Sequence, residues 1–459
     1  MSRISYLSGL LSSVFIRHEN DAEFQEERSF AELCVALLKH EGQRSGNLIA
    51  RGLLTRFANS TAEQQLEFFR MLATRFDINA DQAVFAAQQY SQSSTAENLS
   101  LLMESVEPTR QELFRRLNCV SGATSQLVHM RALLLDACRS NPELERIDLD
   151  FRHLFRAWFN QGFLILREID WHTPAKVLEN IIENDAISQI SNWSSLRNRL
   201  ESTDQRCYAF FHPAMPSEPL IVFEIALTDK TPQSLSQLTG NDRRVPRESD
   251  ATTAVFYSIC YCQAGLEGIS FGNSLVKQVV AELKKSLPEL RTFRTLSPIP
   301  GLMRWVAEQL KTAQLNEQAD TDIAASDDFC HGAQIASMRL AQVVSENEKT
   351  LLDEADSHQL KQLAAYYLLN ARHEDNQPLD SVAQFHLGSG AVFDDVLPGA
   401  DESDTGRRKS ASLMASYLYD MDCVDDNQDA YEESRQLLAS SEMMVLCGLS
   451  HKRVRKRMV

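Results

Sequence analysis

The chain has no hydrophobic run long enough to cross a bilayer. Its longest apolar strings, such as Leu220-Ile221-Val222-Phe223 and Met443-Met444-Val445-Leu446-Cys447, fall far short of the roughly 20 residues a spanning helix needs, so no membrane helix is expected. It also lacks positive charge: 63 acidic residues stand against 46 basic ones, for a net charge of −17. A field of that sign repels nucleic acid and anionic lipid, and an anionic substrate would need a local basic patch. The nine cysteines are odd in number and scattered, with no paired CxxC spacing, which argues against a zinc ribbon and for reduced thiols in a reducing compartment. Cys260 and Cys262 lie two apart on an expected strand and share a face, but no second Cys or His pair lies nearby to complete a tetrahedral site.

At 459 residues the chain exceeds what one hydrophobic core usually organises, and about two or three domains are expected. Up to residue 156 proline is limited to Pro108 and Pro142 and glycine is sparse, so this half is expected to be helical nearly throughout. Ser60-Thr61-Ala62-Glu63 reads as a capping box with Ser60 as the cap. Leu66, Phe69, Leu72, Ala73 and Phe76 then recur at helical spacing and mark a buried face. This half shows no His, Cys or paired-carboxylate cluster arranged for chemistry, so its expected role is packing, including packing between subunits. The first eighteen residues carry Arg3 and Arg17 and no acid, the composition of an organelle transit segment. Ile4, Leu7, Leu10, Leu11 and Phe15 equally fit an ordinary helix, which is the preferred reading. The basic stretch His451 to Val459 reads as a solvated tail without a Ser-Lys-Leu ending.

After Trp158 the texture changes. Cys207 to His212 and Leu220 to Leu227 are β-favouring runs separated by Pro213, Pro216 and Pro219, which predicts a strand pair across a turn. A third run, Ala254 to Cys262, feeds into Gly265-Leu266-Glu267-Gly268-Ile269-Ser270-Phe271-Gly272-Asn273, and Leu275, Val276, Val279, Val280 and Leu283 then share one helical face until Pro288. The polar stretch Asn316 to Glu354, with Asp320, Asp322, Asp327 and Asp328 close together, is read as a solvated connector and surface helix in preference to a metal site. Another helix is expected from Leu360 to Ala371.

Two strings carry possible chemistry. Thr295-Leu296-Ser297-Pro298-Ile299-Pro300-Gly301 holds Ser297 on a loop stiffened by two prolines; the same string also serves simply to end a strand and start a helix at Leu302. Gln384-Phe385-His386-Leu387-Gly388-Ser389-Gly390 places His386 within an expected strand ending at Gly388, where a lone histidine is commonly a satisfied core residue. His212, before Pro213, ranks below His386 as a proton donor. Strand, glycine turn and helix together could aim free amides at a pyrophosphate, but the spacing is neither GxGxxG nor Walker A, which disfavours NAD and ATP. It is closer to the loose turn with which GNAT acetyltransferases hold coenzyme A.

Taken together and in order, Cys207 to Leu227, Val255 to Gly272, Leu296 to Gly301, Phe385 to Gly390 and Leu413-Met414-Ala415-Ser416-Tyr417-Leu418-Tyr419 resemble segments of the malonyl-CoA decarboxylase family. Ala157-Trp158-Phe159-Asn160-Gln161-Gly162-Phe163-Leu164 carries the resemblance into the first half. It implies an α+β fold, with an N-terminal helical bundle over 1–156 for oligomerisation and a GNAT-like mixed α/β catalytic domain over 157–459. It implies decarboxylation of malonyl-CoA to acetyl-CoA and CO2 by Ser297 and His386, with Tyr419 also important and no metal or organic cofactor. Gly265, Gly268, Ile269, Ser270, Gly272 and Asn273 would meet coenzyme A. The resemblance further implies a homo-oligomer, a tetramer, with a bacterial cytoplasmic location preferred and the mitochondrial matrix as the alternative. Ser270, Ser381 and Ser389 depart from the family pattern, standing where some members carry glutamate, proline and asparagine. The alternatives are a GNAT-type acyltransferase moving an acetyl group from acetyl-CoA to an amine, and a non-catalytic interaction module.

Overall fold

The computed structural model describes residues 28–39, 42–184, 193–240, 243–272, 274–318 and 354–447. The expectations for the first eighteen residues, for Asn273, for the acidic connector at 319–353 and for the basic tail lie outside these. The chain divides into two compact units, Met1–Phe159 with Gln263–Ile269, and Asn160–Cys262 with Ser270–Val459.

The first unit is helical. Among its helices are Gln43–Ala58, Ala62–Arg75, Ala80–Gln92, Ala96–Val106, Thr109–Asn118, Ala123–Cys138 and Glu145–Trp158. The capping box expected at Ser60 is shifted by one residue. Thr61 caps Ala62–Arg75, accepting from the amide of Gln64, whose side chain reaches back to the Thr61 amide. Ser60 is engaged elsewhere, donating to the Arg56 carbonyl at 2.8 Å at the end of the preceding helix. Two overlapping Ser/Thr-x-x-Glu/Gln strings competed, and the register that buries Phe68, Phe69 and Leu72 prevails. Gly265 belongs to this unit and is needed there for close approach. A Cβ at that position would lie 1.8 Å from the Val128 carbonyl oxygen. Arg131, buried and paired with Asp148 at 2.7 Å, donates to the carbonyls of Gly265 and Glu267 at 2.8 Å each. Gly268 (φ +71°) and buried Ile269 complete the segment.

The second unit is built on an eight-stranded mixed sheet: β1 (Ile165–Glu168), β2 (Gln205–Phe211), β3 (Ile221–Thr228), β4 (Thr253–Tyr261), β5 (Thr292–Thr295), β6 (Ser297–Pro298), β7 (Val392–Leu397) and β8 (Met414–Leu418). The expected strand pair is β2–β3, antiparallel with Tyr208 opposite Phe223. Cys207, Ala209 and Phe211 project with the sheet's period of two onto Val177, Leu178 and Ile181 of the helix Ala175–Asn184 and onto Leu196. Along β2 and β3 nearly every residue is buried, so both faces are covered. Among the described strands, β4 and β5 form the parallel pair.

That pair positions the chemistry. Its register stops at Phe256 opposite Thr295, and a last bond runs from the Leu296 amide to the Phe256 carbonyl at 2.9 Å. β4 continues along β3 as far as Tyr261, while the other chain turns away as β6 and pairs with β8, Ser297 opposite Ala415. Ser297 therefore stands where two neighbouring strands part. The expectation for His386 is corrected here: it lies in the helix Ser381–Gly388, not in a strand. Asp380 caps that helix through the amides of Val382 and Ala383, and the cap outweighs the β-favouring look of Phe385-His386-Leu387.

Replacing Gly265 with alanine should lower stability by at least about 2 kcal/mol, since the Val128 backbone it meets cannot rotate away. Urea unfolding of the variant beside the unaltered chain checks this; an unchanged midpoint would show that the segment has slack.

Candidate active site

Three side chains from separate parts of the second unit meet in one row. Ser297 comes from β6, His386 from the last turn of its helix, and Tyr419 from the residue after β8, whose amide is held by the Phe293 carbonyl at 2.8 Å. Ser297 Oγ lies 3.0 Å from His386 Nε2, and His386 Nδ1 lies 2.9 Å from the Tyr419 hydroxyl. Their exposures are 5% for Ser297 and 2% for each of the others. Ser297 also donates to Thr295 Oγ1 at 2.9 Å.

Aromatic rings enclose the imidazole. Tyr417 stacks on it with centroids 4.6 Å apart, and Phe385 meets it edge-on at 5.1 Å. Burial alone pushes its pKa from 6.5 down to about 3, because the third member of the row is a neutral phenol and no carboxylate compensates an imidazolium. Burial likewise pushes the Tyr419 phenol far above its ordinary value. Near neutral pH the row is therefore uncharged, in contrast to a Ser-His-Asp arrangement whose acid stabilises the imidazolium.

A second buried group links the two motifs. Asp380, 1% exposed, accepts from Val382 and Ala383 through Oδ1 at 3.0 and 3.1 Å and from the Gly301 amide through Oδ2 at 3.2 Å. One carboxylate thus ties the start of the His386 helix to the loop that follows Ser297. Glycine at 301 leaves room for the buried Tyr367 ring, since a Cβ there would lie 2.1 Å from the Tyr367 hydroxyl and 3.3 Å from Asp380 Oδ2, and the ring would have to shift. The departure at Ser381 is explained by the same cap. Asp380 uses the amides of residues 382 and 383, so the first helical position tolerates either serine or proline. Ser389 donates to the Phe385 carbonyl at 2.7 Å and closes the helix.

The glycine turn is divided between the units. Gly265, Gly268 and Ile269 belong to the helical one. Ser270 and Gly272 precede the helix Leu275–Ser286, with the Gly272 amide donating to Ser270 Oγ at 3.2 Å and Gly272 at φ +86°. Ser274 caps no amide of that helix and instead accepts from Gln161. His212 accepts the Ala214 amide at Nδ1 in the β2–β3 turn, while Ser297 bonds His386. A cavity of about 340 Å³ borders Tyr419 and offers Lys284, Arg291 and Arg294, offset by Asp420 and Asp422. Among the described residues no group of three His, Cys, Asp or Glu is arranged to hold a metal ion, and no helix is long and apolar enough to cross a membrane. Sequence reasoning missed Thr295, Asp380 and Tyr417. For Asp380 a signal exists, an Asp immediately before a helix-length apolar stretch.

The buried neutral histidine predicts a stability profile. Its folded pKa lies below 6.5, so the unfolded chain binds the extra proton and stability falls as pH drops from about 6.5 towards about 3. Between about pH 6 and pH 4 the slope for the unaltered chain should exceed that of His386→Phe by roughly 1.4 kcal/mol per pH unit. Equilibrium urea melts on both proteins measure it; parallel slopes would contradict a neutral buried imidazole.

The sequence matches the models of two domains of one family, one after the other. Residues 162–457 match the malonyl-CoA decarboxylase C-terminal domain, and residues 76–159 match the corresponding N-terminal domain. The crystal structure of malonyl-CoA decarboxylase from Rhodopseudomonas palustris superposes with a TM-score of 0.81 at 39% identity, covering 92% of this chain and 98% of that one. The Agrobacterium vitis counterpart gives 0.79 at 37%, over 91% and 99%. The mitochondrial malonyl-CoA decarboxylase of Rattus norvegicus is 30% identical over 410 residues, 84% of this chain and 82% of that protein. With both domains matched in order, the chain belongs to the malonyl-CoA decarboxylase family and is a carboxy-lyase.

Proposed function

We propose that the chain converts malonyl-CoA to acetyl-CoA and CO2 using Ser297, His386 and Tyr419, without a metal or organic cofactor. The contact of 3.0 Å between Ser297 and His386, joining two strings far apart in sequence, carries this reading. When the carboxylate leaves as CO2, the electron pair of the breaking bond passes into the thioester as an enolate. The protein then has to stabilise that oxygen and protonate the carbon. Ser297, at the parting of β4 and β5, delivers the proton. His386 replaces it through Nε2 as the Tyr419 hydroxyl passes its proton to Nδ1, and solvent in the cavity bordering Tyr419 returns the proton to the phenol. The overall reaction consumes one proton from solvent. A proton donor held in line contributes typically ~100- to 10,000-fold, and each hydrogen-bond donor aimed at the enolate oxygen about 3 kcal/mol.

For the coenzyme, we place the pyrophosphate at Ser270 and Gly272, before the uncapped first turn of Leu275–Ser286. We also read the chain as a homo-oligomer. The helix Ala96–Val106 buries none of its residues, and with Ala80–Gln92 it exposes Val84, Phe85, Leu99, Leu101 and Met103, an apolar surface that self-association would cover. Similarity to bacterial proteins supports a bacterial cytoplasmic setting.

Purified protein in excess chelator should form acetyl-CoA from malonyl-CoA, and Ser297→Ala and His386→Ala, each confirmed folded, should lower kcat by at least ~100-fold. No product from well-folded parent protein would sink the reading. The apolar helix pair is tested by sedimentation: Phe85→Glu with Met103→Glu should dissociate the assembly, and an unchanged mass would exclude that surface as the interface.

A further inference from the structure

We propose that Thr295 is a positioning residue that sets the direction of the hydrogen-bond row and holds His386 as its Nε2–H tautomer. The proposal deepens the assignment of Ser297 and His386 made above and rests on it. Thr295 ends β5 and is 1% exposed. Its Oγ1 accepts the backbone amide of Tyr417 at 3.2 Å and the hydroxyl of Ser297 at 2.9 Å. A hydroxyl oxygen has two lone pairs, and both are occupied. The amide is the fixed point, because a backbone N–H can only donate.

Each further step follows from the donor inventory. Ser297 has one hydroxyl proton, and in the resting site the heavy-atom geometry directs it to Thr295 Oγ1. Its contact with His386 Nε2 at 3.0 Å then requires the ring nitrogen to be the donor. A neutral imidazole carries one N–H, so with Nε2 protonated Nδ1 is an acceptor, and the Tyr419 hydroxyl at 2.9 Å has to donate to it. The row runs Tyr419 to His386 to Ser297 to Thr295. The Tyr417 amide meets it from the far end, and both tyrosines come from β8 and the residue that follows it. The direction has a chemical consequence. An imidazole already protonated at Nε2 cannot take the proton of Ser297, so the serine is not activated as a nucleophile towards a thioester. It stays a hydroxyl that donates, with a ring N–H behind it to replace what it gives.

The test is selective 15N labelling of histidine in the full chain, with two-bond 1H–15N correlations reporting which ring nitrogen is protonated. His386→Gln identifies the signal by its loss. At neutral pH the unaltered chain should show Nε2–H at His386. Thr295→Val keeps the shape and removes the oxygen. It should populate Nδ1–H as Ser297 turns its proton to Nε2, and lower kcat by ~10-fold, the equivalent of one lost hydrogen bond, with KM nearly unchanged. Thr295→Ser should restore both tautomer and kcat. Nδ1–H in the unaltered chain, or Thr295→Val with tautomer and kcat intact, would overturn the proposal. If Thr295→Val does not fold, the tautomer in the unaltered chain decides. The spectrum needs no turnover, so Nε2–H in a protein that forms no acetyl-CoA would fault the decarboxylation reading and leave the role of Thr295 standing.

Discussion

The second unit depends on an imidazole held neutral between two hydroxyl groups inside an apolar shell. Burying a polar ring costs free energy unless both of its nitrogens are satisfied. Ser297 and Tyr419 satisfy them, at 3.0 and 2.9 Å. That requirement reaches outward. The ring needs a helix end close to a sheet opening, and Asp380 supplies the link by capping the helix and accepting the Gly301 amide. The link is packed so that a side chain at 301 would displace Tyr367. It also has a cost: burial pushes the Asp380 carboxyl upward against three amide donors that pull it down. A buried carboxylate with its lone pairs filled by backbone donors is tolerable, whereas one stripped of a partner is strongly destabilising.

The choice of a tyrosine as the third member decides the chemistry. An aspartate there would stabilise the imidazolium and make His386 a base for Ser297, as in acyl transfer. With a phenol whose own ionisation is suppressed by burial, the row as we propose it would move protons without holding charge. Decarboxylation of a thioester that carries its own electron sink asks for little more than a placed proton and a stabilised enolate. The demand on the protein is geometric, and the sheet supplies the geometry by letting β4 and β5 part at Phe256 and Leu296.

Much of this could be read in the residues, and the failures have physical causes. The strands β2 to β4 and the helix Leu275–Ser286 followed from their periods and proline boundaries, because burial on a sheet imposes a pattern of two and on a helix one of 3.6. Ser297 was legible as a constrained hydroxyl from its two prolines, and Tyr419 through resemblance alone. His386 was placed in a strand because aromatic neighbours favour one, and a single capping carboxylate overrode them. At Gly265 the glycine turn also meets a packing constraint, a neighbouring carbonyl from Val128, which no local pattern announces. Thr295 was equally invisible: what distinguishes it is a bond from the Tyr417 amide, 122 residues away.

The most direct test of a neutral, charge-free row is the pH dependence of kcat/KM for malonyl-CoA between about pH 5.5 and 8.5, which reports ionisations of the free enzyme. With the imidazole held at about 3, the profile should be flat as far as His386 is concerned, with no decline as pH rises through 6.5. A fall in kcat/KM with rising pH near that value, abolished in His386→Gln, would mean that the imidazolium is the working acid and would contradict the account.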